Sequence, residues 1–255
     1  MPDSTQMPSF LTLKDGNKLA YLHTKGKAGA PSVVFLGGFM SDMSGTKATA
    51  IEQFCKAKDY SYTRFDYFGH GISSGAFTEG TIGYWKDNVI SILDMLKDPK
   101  HIVIGSSMGG WLMLLAALER PERIQALIGI ASAPDFTENL IWDIMTDAEK
   151  ETLQKEGVFN QGSEYSDSPY PISKTLIEDG RNHLVLNKEI PIHCPVRLIH
   201  GMKDDDVPYS LSAILAKQLA SDDVQVQLIK RSDHRMSSPE DIAVLEKTIL
   251  SLIDA

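Results

Sequence analysis

The sequence predicts an α/β fold built on a mainly parallel, doubly wound sheet, and three observations carry that expectation. Short apolar runs without polar alternation read as strands covered on both faces: Ser32-Val33-Val34-Phe35-Leu36, Ile102-Val103-Ile104, Ala126-Leu127-Ile128-Gly129-Ile130 and Val196-Arg197-Leu198-Ile199. Segments with helical spacing, near 41–58, 81–97, 109–119 and 209–220, lie between them. The 255 residues suit one large α/β domain with a sizeable core. Strands alternating with helices imply parallel pairing and helices on both faces.

Taken in order, the elements begin with a hairpin over 10–22, turning at Asp15-Gly16-Asn17. The buried strands and their helices follow. A last strand over 224–229 precedes a C-terminal helix that starts near Ser238-Pro239-Glu240. The alternation breaks once, over 135–191, where no strong buried strand is expected. Residues 139–155 have helical spacing with an acidic face, 161–171 read as a Ser/Gly/Pro/Tyr-rich loop, and 172–186 read as a second helix interrupted by Gly180. The expected organisation is a core of 1–134 and 192–255 carrying a small helical cap insertion of 135–191. Such an insertion would lie over the carboxyl ends of the strands, where open α/β sheets bind ligands; a plain surface excursion is the alternative.

Bulk properties narrow the function classes. A net charge of −9 argues against a nucleic-acid partner, which needs a basic surface. No apolar run reaches the roughly 20 residues of a membrane span. Met1-Pro2-Asp3-Ser4-Thr5-Gln6 has neither the form of a signal peptide nor that of a transit peptide. The expected compartment is the cytoplasm, with the mitochondrial matrix as the alternative if a presequence has been removed. The two cysteines, Cys55 and Cys194, fit buried structural thiols in a reducing compartment.

The most informative stretch is Gly105-Ser106-Ser107-Met108-Gly109, a Gly-x-Ser-x-Gly sequence between an apolar strand and the apolar run that opens at Gly110-Trp111. In that context the pattern describes a sharp strand-to-helix turn presenting one nucleophile, Ser107. Gly105 and Gly109 are needed because a Cβ at either place would clash with neighbouring backbone. A serine that merely caps the helix is the competing reading.

A serine hydroxyl needs a base, and the base needs a carboxylate to fix its tautomer. On this kind of fold the order along the chain is Ser, then acid, then His. His200-Gly201-Met202-Lys203-Asp204-Asp205-Asp206 follows one late strand, and Ser232-Asp233-His234-Arg235-Met236 follows the last. Asp204 is the expected acid, with Asp205 and Asp206 as competitors one or two positions away. His234 is the expected base, being the one histidine of seven downstream of the acid. His70 and His200 sit near strand ends and read as loop hydrogen-bonders, and Asp66 reads as fixing its own loop. The aspartate run lacks the spacing and glycine of a calcium loop, so no metal site is expected. The oxyanion donors should be the backbone N–H groups of Met108 and Phe39, with Met40 as the fallback. Gly37 and Gly38 let the loop bend inward toward Ser107.

Together these pieces resemble the α/β-hydrolase superfamily over nearly the whole chain. A narrower likeness rests on Gly45-Thr46-Lys47-Ala48, Arg64-Phe65-Asp66-Tyr67, the serine motif through Leu114, and the two late loops. These segments are similar to a branch of serine hydrolases acting as palmitoyl-protein thioesterases and acyl-glucuronide esterases. The resemblance implies a triad of Ser107, Asp204 and His234, in agreement with the residues themselves.

The expected activity is hydrolysis of carboxylic esters or thioesters through an acyl-enzyme, with no metal or organic cofactor. The substrate is expected to be a small molecule or an acylated protein, long-chain acyl thioesters and acyl glucuronides included. Carbon–carbon bond hydrolases and serine-dependent peroxidases share the serine and stay open as alternatives; so does a binding protein without catalysis. Ile141, Trp142, Ile144 and Met145 have the spacing of an acyl channel or of an ordinary packing face. Oligomeric state is not encoded in any motif.

Overall fold

A computed structural model describes residues 7–162 and 169–253. The expectation about residues 1–6 therefore lies outside the described residues, as do 163–168 of the expected 161–171 loop.

The hairpin forms from β1 (Ser9–Thr12) and β2 (Lys18–Thr24), which pair antiparallel. It turns at Gly16, whose φ of 89° is open to glycine at no steric cost. Six further strands complete the main sheet: β3 (Ser32–Leu36), β4 (Ser61–Phe65), β5 (His101–Ser106), β6 (Ile124–Ile130), β9 (Val196–Gly201) and β10 (Val224–Ile229). Their order is β1-β2-β4-β3-β5-β6-β9-β10, parallel from β4 onward. All residues of β3, β4, β5 and β9 are buried, although β4, Ser61-Tyr62-Thr63-Arg64-Phe65, is not an apolar run.

The two-residue period of each strand divides the core. Val34, Leu36, Val103 and Leu127 face one layer, with Trp85 and Val89 of α2 (Ile82–Met95), Leu112 of α3 (Met108–Glu119) and Leu215 of α6 (Ser210–Gln218). Val33, Phe35, Ile102 and Ile128 face the other, with Ile51 of α1 (Thr46–Ala57) and Leu245 and Ile249 of α7 (Pro239–Ile253). α3 lies in the middle of the fold, buried on nearly every side, so its apolar character has no polar stripe. α2 is started by Thr81, whose hydroxyl accepts from the Tyr84 N–H at 3.2 Å.

The segment between β6 and β9 departs from the expected pair of helices. It opens with a π-helical turn, Thr137–Trp142, followed by α4 (Asp147–Glu156). Thr146 and Glu149 form a capping box that starts α4 afresh and splits the expected 139–155 helix. β7 (Val158–Gln161) and β8 (Tyr170–Ser173) then pair antiparallel as a second, two-stranded sheet. No strong buried strand interrupts the segment, but the expected 161–171 loop and the helix expected from 172 are corrected: Gln161 and Tyr170–Ser173 belong to a short, mostly half-buried ladder that no long apolar run announces. α5 (Lys174–Gly180) starts at Ser173, whose hydroxyl accepts from Leu176 N–H, so the expected helix from 172 begins later and ends at Gly180.

Both cysteines are free thiols, and burial pushes them up to about 12 for Cys55 and about 11 for Cys194. Among the described residues no helix is long and apolar enough to cross a membrane.

Candidate active site

Ser107 sits between β5 and α3 with φ 54° and ψ −118°, a conformation that costs a non-glycine residue on the order of 1–3 kcal/mol. Its backbone holds it there: the N–H donates to Ile130 C=O at 2.9 Å, and the C=O accepts from Gly110 N–H at 2.8 Å and Ala133 N–H at 3.1 Å. The flanking glycines make the turn possible. A Cβ on Gly105 would lie 2.3 Å from Gly109 O, and one on Gly109 would lie 2.3 Å from Leu36 O.

Asp204 and His234 come from loops after β9 and β10, adjacent strands of the sheet. Gly201 lets these loops meet, since a Cβ there would lie 2.3 Å from Ser232 O. Lys203 N–H donates to that same Ser232 C=O at 2.9 Å. Ser232 in turn is tied by its hydroxyl to Asp241 at the start of α7.

His234 Nδ1 lies 2.7 Å from Asp204 Oδ2, and His234 Nε2 lies 3.1 Å from Ser107 Oγ. A carboxylate only accepts, so Nδ1 carries the proton and Nε2 is left to accept from the serine hydroxyl. Asp204 also accepts from His200 Nε2 at 3.0 Å, from Asp206 N–H at 3.0 Å and from Val207 N–H at 2.8 Å. Burial by itself would raise the Asp204 carboxyl. The bonds from His200 and His234, the charge on His234 and the Val207 N–H outweigh it and hold the group well below the usual carboxylate range. Asp205 and Asp206, the neighbours along the chain, are exposed. Asp204, Asp206 and His234 bring one ligand atom each within 4.8 Å of one another. The Asp204–His234 contact is a hydrogen bond that holds the imidazole in place, and a cation between them would break it.

Gly38 brings the loop after β3 against the serine; a Cβ on it would lie 3.4 Å from Ser107 Cβ. Among the described residues the N–H groups of Phe39 and Met108 donate to no protein acceptor. The Phe39 ring is edge-on to Phe77, Trp85, Phe136 and Tyr170, with centroids 4.8–6.1 Å apart. Its side chain is therefore a packing hub, which motif reading alone misses. Asp66 fixes its loop as expected, accepting from Met43 N–H at 2.6 Å and Ile72 N–H at 3.0 Å.

Ser107 and His234 open into a cavity of about 640 Å³, within the size range of small-molecule sites. Its apolar lining includes Phe39, Phe136, Leu140, Ile141 and Ile172, four of them from the segment between β6 and β9. Of the residues suited to an acyl channel by spacing, only Ile141 reaches this cavity. Met145 is in the core and Ile144 is 66% exposed. Trp142 is flanked by Lys150 and Arg181, 5.2 and 4.6 Å from its ring centroid. Leu140, next to Ile141 on the π-helical turn, lines the cavity as well.

The sequence pattern of the family described as alpha/beta hydrolase fold matches residues 31–170. The chain belongs to the α/β-hydrolase family. Its relatives include palmitoyl-protein thioesterase ABHD10, mitochondrial, of Homo sapiens, 45% identical over 96% of this chain and 80% of that protein. The Bos taurus protein of the same name is 44% identical over the same shares. Among solved structures, a putative hydrolase from Agrobacterium vitis superposes with TM-score 0.93 at 38% identity, covering 96% of this chain and 98% of that one. The alpha/beta hydrolase domain-containing protein 10 from mouse superposes with TM-score 0.90 at 41% identity, covering 98% and 99%. As an α/β-hydrolase with relatives named as thioesterases, the chain is an enzyme, an ester or thioester hydrolase. The relatives' name also conflicts with the cytoplasmic expectation and agrees with its mitochondrial alternative. Net charge and cysteine usage are shared by many compartments and do not encode one.

Proposed function

We propose that this α/β-hydrolase cleaves acyl thioesters or esters with an extended apolar acyl group, using Ser107 as nucleophile, His234 as base and Asp204 as its orienting acid. The observation that carries the reading is the unbroken chain of hydrogen bonds Ser107–His234–Asp204, at 3.1 and 2.7 Å.

In the first half-reaction His234 Nε2 takes the Ser107 proton as Oγ attacks the acyl carbonyl carbon. The N–H groups of Phe39 and Met108 receive the oxygen that becomes negative; one such donor is worth roughly 3–4 kcal/mol in the transition state. The C–S or C–O bond breaks and the leaving thiol or alcohol takes the proton from His234. Water then gives its proton to Nε2 and attacks the acyl carbon, and the acid departs as Ser107 regains its hydrogen. Asp204 stays ionised throughout and stabilises the imidazolium.

Residues 135–191 act as a cap in this reading, since Phe136, Leu140, Ile141 and Ile172 contribute apolar lining to the cavity of Ser107. That lining, and the relatives' name of palmitoyl-protein thioesterase, support long acyl chains and acylated protein as the substrate class.

Intact-mass measurement after incubation with acyl thioesters of graded length tests the proposal. A fluorophosphonate probe should add to Ser107, Ser107→Ala should stay folded and lose turnover, and long chains should be preferred over short. A Ser107→Ala protein with wild-type turnover overturns the assignment. Parallel assay of oxyesters, β-diketones and peroxide formation separates this chemistry from carbon–carbon hydrolysis and from peroxidase activity.

A further inference from the structure

The sheet ends at β10, and no strand among the described residues covers its outer edge. Asp223 C=O accepts from Val196 N–H and Ile229 C=O accepts from Met202 N–H, both at 2.9 Å, so the odd-numbered residues turn their backbone groups toward β9. Strand alternation then turns the N–H and C=O of Val224, Val226 and Leu228 outward. The side chains of Val226 and Leu228 are 38% and 43% exposed, and Ile214 of α6, the helix packed against β10, is 48% exposed. Edge strands usually carry a proline, a bulge or a charge facing the neighbour to prevent pairing. Val224-Gln225-Val226-Gln227-Leu228-Ile229 has no proline and no charge.

The strand is instead complementary to itself. Run antiparallel against a copy with Val226 opposite Val226, it sets Val224 against Leu228 and Gln225 against Gln227. The same register sets Asp222 against Lys230 at both ends. Hydrogen-bond direction agrees, because the outward-facing residues Val224, Val226 and Leu228 fall opposite one another and exchange N–H···O=C bonds. Registers centred one residue away, on Gln225 or Gln227, take Lys230 away from Asp222 and put it opposite Ala220 or Val224.

We propose that a second copy of this chain docks along β10 about a two-fold axis at Val226, joining the two eight-stranded sheets into one. Asp222 and Lys230 fix the register, and the apolar face of Val224, Val226 and Leu228 supplies the buried contact.

Sedimentation velocity over a concentration series tests it. The wild type is expected at twice the 28.1 kDa chain mass. Val226→Asp, which puts two carboxylates at the axis, should shift the protein to monomer. So should Val226→Pro, which removes an outward N–H and leaves the bonds to β9 in place. Lys230→Asp should weaken association at least several-fold, and the swap Asp222→Lys with Lys230→Asp should restore it; circular dichroism verifies that each variant is folded. A wild type that stays monomeric overturns the proposal and leaves the edge to a strand of another protein. A dimer indifferent to Val226→Asp and Val226→Pro, or one that the charge swap does not rescue, overturns it as well.

Discussion

His200 and His234 bond the same oxygen of Asp204. Oδ2 lies 3.0 Å from His200 Nε2 and 2.7 Å from His234 Nδ1. His200 Nε2 also lies 3.1 Å from Val207 C=O, so both its neighbours are acceptors and it must carry the proton. Nδ1 then accepts from the Ser212 hydroxyl at 2.7 Å. The side chains of His200 and Asp204 are fully buried, so each depends on the other to satisfy its polar atoms.

His200→Ala should therefore cost about 1.5–3 kcal/mol of stability, the range for a hydrogen bond to a charged group. It should lower kcat while leaving KM near the wild-type value, because His200 is absent from the cavity lining and acts through Asp204. Denaturant unfolding and steady-state kinetics measure the two effects; an increase confined to KM would contradict a positioning role.

Asp204→Asn should reduce kcat by about 10⁴-fold, since an amide disturbs the tautomer that leaves Nε2 free to accept. Asp205→Ala and Asp206→Ala should stay within a few-fold of wild type, as both side chains are exposed. Activity kept in Asp204→Asn and lost in Asp205→Ala or Asp206→Ala would mean that the acid has been assigned one or two positions astray.

Gly105→Ala and Gly109→Ala should each destabilise the fold by about 2 kcal/mol or more, because the new methyl meets backbone 2.3 Å away in both cases. Backbone held by neighbouring strands cannot step aside as a flexible side chain would. Chemical denaturation of the two variants gives the number directly, and midpoints equal to wild type would rule out the clash.

Stability should also fall in mild acid. Burial pushes His70 and His101 down from 6.5 to about 4; the Arg123 guanidinium also disfavours a charge on His101. Their folded-state values lie below the unfolded one, so between pH 6.5 and 4 the unfolded chain binds more protons. This contribution is fully present above pH 6.5 and declines as the pH drops toward 4. His70 Nε2 is buried without a partner among the described residues, in a ring cluster with Tyr67, Phe77 and Trp85, so a proton there finds no acceptor. His70→Phe should flatten part of the slope in a thermal-midpoint series across that range. Identical slopes in variant and wild type would remove His70 from the explanation.

Much of the fold is legible in the chain. Gly16 marks the hairpin turn, the apolar runs mark the buried strands, and the glycines around Ser107 mark the sharp turn into α3. Compartment is not legible, nor are the strands β7 and β8, whose half-buried residues lack a long periodic run. The spacing of Ile141, Trp142, Ile144 and Met145 suggests one face, but the π-helical turn ends at Trp142 and the four residues go to different places. His200 reads as one more loop histidine until Asp204 and Ser212 are seen on either side of its ring.

What the sequence determined by itself is local: period-two and helical patterning, glycine where backbone must pass close, and the order of serine, acid and histidine along the chain. These follow from sterics and burial within a few residues, which neighbouring letters encode. The tertiary structure alone decided which of three adjacent aspartates turns inward and that two imidazoles divide its oxygen. It also decided that the Phe39 ring joins four others and that Leu140 and Ile141 both reach the cavity. Such choices depend on distances between parts of the chain that meet only after folding, and a hydrogen bond or ring contact is won or lost within an ångström that no spacing records.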